Sequence, residues 1–128
     1  MADLLVWVAL GSALGGMARF LVSALVGRWI GEVFPWGTMA VNISGSFALG
    51  VMAGAVEGAV GGEALPQMSA AWQFGVTGFL GSYTTVSSFS LQTLALARDG
   101  QLARAGGNVL LSLALCLAAV AAGFAAGS

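Results

Sequence analysis

The residues best suited to chemistry lie in one polar stretch of an otherwise apolar sequence, Gly78 to Ser90. Its hydroxyl side chains are Ser82, Tyr83, Thr84, Thr85, Ser87, Ser88 and Ser90. Polar side chains at membrane depth are costly, so they usually face other helices or a polar path. Gly81 and the β-branched run from Thr84 to Val86 also weaken a helix. This stretch indicates a helix broken in mid-membrane, where irregular backbone must be buried or line a cavity. The alternative is a continuous helix whose hydroxyls bond to carbonyls one turn earlier.

The composition around this stretch is that of a membrane protein. Of 128 residues, 59% are hydrophobic, four are basic, five are acidic and none is histidine. The mean hydropathy is +0.95, whereas a soluble domain carries about a quarter of charged residues. A bilayer span needs ~20 apolar residues, so four spans fit this length. We therefore expect an all-α integral membrane protein with a single four-helix domain, residues 1–128.

The same composition excludes several functions. Without histidine and with a single cysteine, Cys116, the chain has no His/Cys metal site and no histidine-based acid–base catalysis. Four scattered arginines form no patch that could follow the phosphates of a nucleic acid, so no nucleic-acid partner is expected. Cys116 stands in an apolar run, where it is expected to pack as a small hydrophobe.

Hydropathy places the four spans at about residues 4–26, 36–56, 70–97 and 106–124, joined by short connections. Residues 57–66 read as a Gly-rich acidic loop, and Arg98 to Gly100 reads as a turn. Arg28, Arg98 and Arg104 all fall in the connections after spans one and three. The positive-inside rule therefore weakly favours both termini outside, although so few charges permit either orientation.

Small and polar residues recur every four positions on three of the spans. Such stripes usually mark close helix packing, but an asparagine or an arginine at this depth needs a polar partner. The members are Gly11, Gly15 and Arg19 on the first span, Thr38, Asn42, Ser46, Gly50 and Gly54 on the second, and Asn108, Ser112 and Cys116 on the fourth. Four short helices bury little among themselves, so self-association into a closed two-fold dimer is the simplest arrangement.

Three motifs in order resemble one family along nearly the whole chain. They are residues 15–20 (GGMARF), 35–45 (PWGTMAVNISG) and 78–90 (GFLGSYTTVSSFS). With these motifs the chain resembles the CrcB, or Fluc, fluoride channels. The resemblance implies an antiparallel, dual-topology homodimer whose third helix breaks at its middle. It also implies a structural sodium ion at the dimer centre, held by backbone carbonyls that match Gly81 and Thr84.

The resemblance further implies two pores per dimer, each lined by both chains. Two positions of the third helix, Val86 and Phe89, match the aromatic pair that faces the ion path. The other matching positions are Thr38 and Asn42 as polar contacts, Arg19 near an aqueous vestibule, and Asn108 and Ser112 as a polar track. The implied function is passive export of fluoride through the plasma membrane of a microbe, which protects the cell from fluoride.

Physical chemistry is consistent with these implied roles. Fluoride is strongly hydrated, so a pore must replace its water with hydrogen-bond donors and yet hold it weakly enough for release. Hydroxyls and amides donate, and the available ones are Thr38, Asn42, Ser88, Asn108 and Ser112. A Phe presented edge-on, such as Phe89, also faces an anion with positive hydrogens.

Two positions depart from the family pattern. Val86 stands where the family usually has the first Phe of the pair, and valine has no polarised aromatic edge. Three explanations compete: conduction with one Phe, a heterodimer whose partner supplies the other, or a variant with altered selectivity or poor conduction. Ser82 and Tyr83 replace the common Gly-Leu, which puts a bulky side chain beside the expected cation site.

Two other classes of protein fit less of the sequence. A small four-helix multidrug-type antiporter needs a titratable group inside the membrane, whereas Asp3, Glu32, Glu57, Glu63 and Asp99 all fall at ends or in loops. A non-transporting scaffold explains the glycine stripes but not Arg19, Asn42 and the hydroxyl-rich stretch together. An enzyme is not expected, because no nucleophile–base pair can be assembled from these residues.

Overall fold

The computed structural model describes residues 1–60 and 69–128, and these residues are almost entirely helical. The helices are α1 (Ala2–Ile30), α2 (Trp36–Val60), α3 (Ala70–Trp72), a π-helical segment (Gln73–Leu80), α4 (Gly81–Tyr83), α5 (Ser87–Arg98) and α6 (Leu102–Gly127). Among the described residues, α1, α2 and α6 are each long and apolar enough to cross a membrane. The chain is thus an all-α membrane protein.

The apolar runs locate α1, α2 and α6 well but make each of them too short. Helix α2 begins at Trp36, as its Pro-Trp start predicts, and continues to Val60 rather than Val56. Helices α1 and α6 likewise extend past both predicted ends, so the first connection shortens to residues 31–35. Most of the expected acidic loop at 57–66 lies outside the described residues, and its first four residues belong to α2. The predicted turn after Arg98 is present, with Gly100 at a φ of 78°.

The third region is interrupted, as its hydroxyl-rich sequence predicts, but the break is short. Only residues 84–86 separate α4 from α5, and Thr84 is extended with φ −78° and ψ 155°. Gly81 to Tyr83 still form a helical turn. The preceding eight residues are π-helical, a widened form usually seen as a single turn at functional sites.

Glycines allow close backbone contact within two pairs of helices, α2 with α6 and α1 with the π-helical segment. A Cβ on Gly50 or Gly54 of α2 would collide with the backbone of α6, and one on Gly123 or Gly127 would collide with α2. The second pair joins α1 to the π-helical segment, where Gly11 and Gly15 lie against the backbone of Phe74 and Phe79. The small-residue stripes on the first two spans therefore serve close packing, as predicted for membrane helices.

The buried interior is small and unusually polar. Its fully or nearly buried polar residues are Thr38, Thr85, Asn108 and Ser112. By contrast, many large apolar side chains along α1 and α6 are exposed. An apolar outside around a polar inside suits a protein whose solvent is lipid.

Candidate functional site

A cavity of about 620 Å3 lies beside the helix break. We call it the break cavity. Its lining is mostly apolar, and its polar groups come from the break itself and from the helices on either side. The lining residues used below are Asn42, Gly81, Thr84, Thr85, Val86, Phe89, Ser112 and Cys116.

Asn42 fastens the break to α2 through both ends of its side-chain amide. Its Nδ2 donates to the Thr85 carbonyl oxygen at 2.8 Å, and its Oδ1 accepts from the Thr85 N–H at 2.8 Å. The two bonds replace the helical partners that Thr85 loses at the break. An amide nitrogen carries two hydrogens, so one Nδ2–H is left over at the edge of the break cavity.

Thr85 also starts the next helix. Its Oγ1 accepts from the Ser88 N–H at 3.2 Å, as an N-terminal capping side chain does, and lies 3.3 Å from the Ser88 hydroxyl. The N-terminus of α5 therefore opens at the break cavity, where Val86 and Phe89 form part of the wall. The positive end of a helix dipole favours an anion there.

The other side of the break presents oxygen atoms. Among the described residues, no hydrogen bond ends on the carbonyl oxygens of residues 81–84. Gly81 and Thr84 differ from the two residues between them because they line the break cavity. Unpaired carbonyls are hard oxygen ligands, so these two residues fit a small cation such as sodium. The fit rests on the carbonyls and on no acidic side chain.

Tyr83 braces this side of the break against α2. Its hydroxyl lies 2.9 Å from the Ser44 hydroxyl, and its ring stacks on Phe79 with centroids 5.9 Å apart. Gly45 makes room for the Thr84 methyl group and the Tyr83 ring, since a Cβ there would meet both. Tyr83 thus has a defined structural contact in place of the leucine common in the family pattern.

The polar residues of α6 point towards α5. Asn108 is 1% exposed, and its Nδ2 donates to the Thr93 hydroxyl at 2.8 Å. Ser112, one turn later, lines the break cavity and donates to the Asn108 Oδ1 at 3.4 Å. Asn108 is therefore a buried link between helices, while Ser112 reaches the cavity.

A second cavity of about 720 Å3 lies at the end of the molecule that holds the two short connections. We call it the loop cavity. Glu32 and Asp99 stand in its wall, as do Thr38 of α2 and Gln92 of α5. The Gln92 Oε1 is buried and has no hydrogen-bond partner in the described part of the chain. A polar cavity of this size has room for water that would satisfy it.

The two cavities follow one another along α2 and α5. Helix α2 gives Thr38 to the loop cavity and Asn42 to the break cavity, and α5 gives Gln92 and Phe89 in the same order. Four residues of α-helix rise only about 6 Å, so one helical turn separates the two spaces. On α2, a polar side chain therefore lines each of the two spaces at successive turns.

The structure brings some of the predicted site residues together and separates others. Asn42, Val86, Phe89, Ser112, Gly81 and Thr84 share the break cavity, whereas Thr38 lines the loop cavity. Ser88 and Asn108 lie just behind the wall, hydrogen-bonded to Thr85 and Thr93. Arg19 is partly exposed on α1 and lines neither cavity, so its vestibule role stays a prediction.

Sequence reasoning missed two polar residues of α5, Gln92 and Thr93. Gln92 lines the loop cavity, and Thr93 joins α5 to Asn108. The signal was available, because an amide followed by a hydroxyl inside an apolar helix is costly unless both have partners.

Two cavities lined in part by hydroxyls and amides, beside a broken helix in an all-α membrane protein, suit a protein that transports an ion. The chain belongs to the CrcB-like family. The family model described as "CrcB-like protein, Camphor Resistance (CrcB)" matches residues 6–124, nearly the whole chain.

Individual relatives agree with the family match. The chain is 62% identical over 122 residues to "Fluoride-specific ion channel FluC 2" of Rhodopseudomonas palustris, covering 95% of this chain and 91% of that protein. It is 52% identical over 117 residues to a protein of the same name from Bradyrhizobium diazoefficiens, covering 91% and 83%. A "Fluoride-specific ion channel FluC" of Opitutus terrae is 52% identical over 118 residues, covering 92% and 87%.

Proposed function

We propose that this chain is a fluoride-selective ion channel, which lets fluoride leave the cell passively across the plasma membrane. The observation that carries the proposal is the 62% identity, over 95% of the chain, to a relative named as a fluoride-specific ion channel. The break cavity and the loop cavity are the spaces that the ion would occupy on its way through the protein. No part of the proposal involves catalysis of a covalent reaction.

The proposed path runs from the loop cavity past Thr38 to the break cavity. There the remaining Nδ2–H of Asn42, the Ser112 hydroxyl and the N-terminus of α5 offer donors to an anion. Phe89 adds the edge of an aromatic ring. Neutral donors hold a halide without the permanent pairing that a buried cation would impose, so the ion can leave again.

The functional unit in this proposal is an antiparallel, dual-topology dimer of four-span chains, with residues 70–98 as the interrupted span. Val86 is 76% exposed in the single chain, although it follows buried Thr85 and forms part of the wall of the break cavity. Unpaired carbonyls on an exposed membrane face cannot be left to lipid. The exposed Val86 and the unpaired carbonyls both support a second copy of the chain that covers this face. A closed two-fold dimer is the commonest such assembly.

Sodium at the dimer axis completes the proposed assembly. The carbonyl oxygens of Gly81 and Thr84 from both chains would hold it, in place of the hydrogen bonds that these oxygens lack. The ion would supply a fixed positive charge close to the anion route.

The decisive experiment is fluoride efflux from liposomes that contain the purified chain alone, followed with a fluoride electrode. We expect rapid efflux that does not depend on a proton gradient, while protein-free liposomes retain fluoride. Dependence on a proton gradient would favour the antiporter. Efflux that requires a second, related chain would favour the heterodimer. Retention of fluoride under all of these conditions would contradict the proposal.

A further inference from the structure

Three consecutive side-chain hydrogen bonds run in a single direction from α6 to α5, and the middle one crosses between the helices. Ser112 donates to the Asn108 Oδ1 at 3.4 Å, the Asn108 Nδ2 donates to the Thr93 Oγ1 at 2.8 Å, and the Thr93 hydroxyl donates to the Phe89 carbonyl at 2.7 Å. The first residue lines the break cavity, and the last carbonyl belongs to the residue whose ring lines the same cavity.

The direction of this chain is fixed at Thr93. A hydroxyl has a single hydrogen, and that of Thr93 is occupied by the Phe89 carbonyl. The Thr93 oxygen can therefore only accept from Asn108, which forces the amide nitrogen of Asn108 to face α5. The Asn108 oxygen must then face Ser112 and attract the only hydrogen of that hydroxyl.

We propose that Thr93 is a positioning residue of the channel. By fixing the orientation of the Asn108 amide, it determines whether the Ser112 hydroxyl hydrogen is held by Asn108 or is free to point into the break cavity. The inference rests on the proposed function. Asn108 is 1% exposed, so no bulk water replaces the contact with Thr93. The 3.4 Å bond from Ser112 is long for a hydroxyl donor, so an anion in the cavity competes for that hydrogen. Thr93 thereby limits how tightly the anion is held.

Removing the Thr93 hydroxyl has a definite consequence for the amide. In Thr93→Val the Asn108 Nδ2 faces a methyl group, and an unpaired buried N–H is rarer in proteins than an unpaired carbonyl. The amide turns over and donates to the Ser112 oxygen. The Ser112 hydrogen is then free to point at the anion, which is held more tightly and released more slowly.

The test is the dependence of efflux on fluoride concentration in liposomes. For Thr93→Val we expect the half-saturating fluoride concentration and the maximal rate both to fall, by about two- to tenfold, as for one hydrogen bond. Thr93→Ser keeps the hydroxyl, so we expect its half-saturating concentration and maximal rate to equal those of the unaltered chain. Thr77→Val, an exposed threonine on the π-helical segment, is the matched control and changes neither. Should Thr93→Val fail to fold, Thr93→Ala serves in the same comparison.

A double variant separates positioning from a general loss of structure. In a Ser112→Ala background, Thr93→Val should leave the half-saturating concentration unchanged, because its effect passes through Ser112. A purely structural role would lower only the maximal rate. An unchanged or raised half-saturating concentration in conducting Thr93→Val, or an equal shift without Ser112, would overturn the inference. If the unaltered chain transports no fluoride, the proposed function itself fails.

Discussion

At the scale of single residues, the polar groups of the break do two tasks at once. Asn42 ties the Thr85 backbone at both its N–H and its carbonyl, and still has an N–H at the break cavity. Sequence reasoning identified Asn42 from its cost at membrane depth, but it could assign only the donor role. The clamp depends on a contact between residues 43 positions apart, which no local pattern contains.

Asn42→Asp tests this double role with nearly the same shape. The carboxylate can accept from the Thr85 N–H, but it repels the Thr85 carbonyl and any anion in the cavity. We expect the free energy of unfolding to fall by about 1–3 kcal/mol and fluoride efflux to be lost. Thermal unfolding in detergent and liposome efflux measure the two effects. Ser46→Ala, in the same cavity wall, is the control, and equal behaviour of both variants would argue against the clamp.

Phe89→Ile tests the aromatic contact with little change in apolar volume. Ile has no positive ring edge, so we expect efflux to fall by about tenfold while the fold is retained. Phe47→Ile, on the exposed surface of α2, should conduct normally. Undiminished efflux in Phe89→Ile would remove Phe89 from the ion path.

Val86→Phe addresses the departure from the family pattern. Val86 is 76% exposed in the single chain, so a larger ring meets no steric obstacle from the same chain. If Val86 lies on the ion path, restoring an aromatic edge should change the conductance or the selectivity for fluoride over chloride. Single-channel recording and paired fluoride and chloride efflux measure both, and unchanged values would place position 86 off the path.

At the scale of helices, hydropathy and glycine spacing predicted the elements and their contacts. The apolar runs located α1, α2 and α6, and Gly11 and Gly15 predicted a close contact that the structure contains. A break within the third region was predicted, but the sequence placed it over residues 82–86, whereas residues 82 and 83 are still helical. The π-helical segment was not, because an apolar run of this length has the same composition in α- and π-helix. The division of Thr38 and Asn42 between two cavities also escaped, since both share one face of α2.

Gly123→Ala and Gly106→Ala form a matched pair that tests the glycine contacts. Alanine is favoured over glycine within a helix by about 1 kcal/mol. Gly106 has open space around it, so its replacement should be neutral or stabilising. At Gly123 the new Cβ collides with the Phe47 carbonyl, and we expect a lower unfolding temperature. If both variants unfold at the same temperature, the α2–α6 contact is looser than described.

At the scale of the whole molecule, the single chain leaves backbone carbonyls of the helix break without hydrogen-bond donors from the described residues. These are the carbonyls of residues 81–84, and Val86 is exposed beside the break cavity, which is the geometry that led us to propose a dimer. Composition predicted the membrane, while the need for a partner chain stays a prediction. It could not specify how many chains assemble or in which orientation.

Sodium replacement tests the proposed assembly as a unit. When sodium is exchanged for a large organic cation, we expect fluoride efflux to decline and the particle to lose thermal stability, because the carbonyls of Gly81 and Thr84 then lack a ligand. Returning sodium should restore both. An efflux rate and an unfolding temperature that do not depend on sodium would exclude a structural ion at this position.

The number of residues in the π-helical segment Gln73–Leu80 determines which way the break that follows it faces. Each residue turns an α-helix by about 100°, so one residue fewer before Gly81 would swing everything after it to another side. Thr85 would then miss Asn42, although no side chain of either had changed. Selection on this stretch should therefore tolerate exchanges of one apolar side chain for another far better than a single-codon deletion.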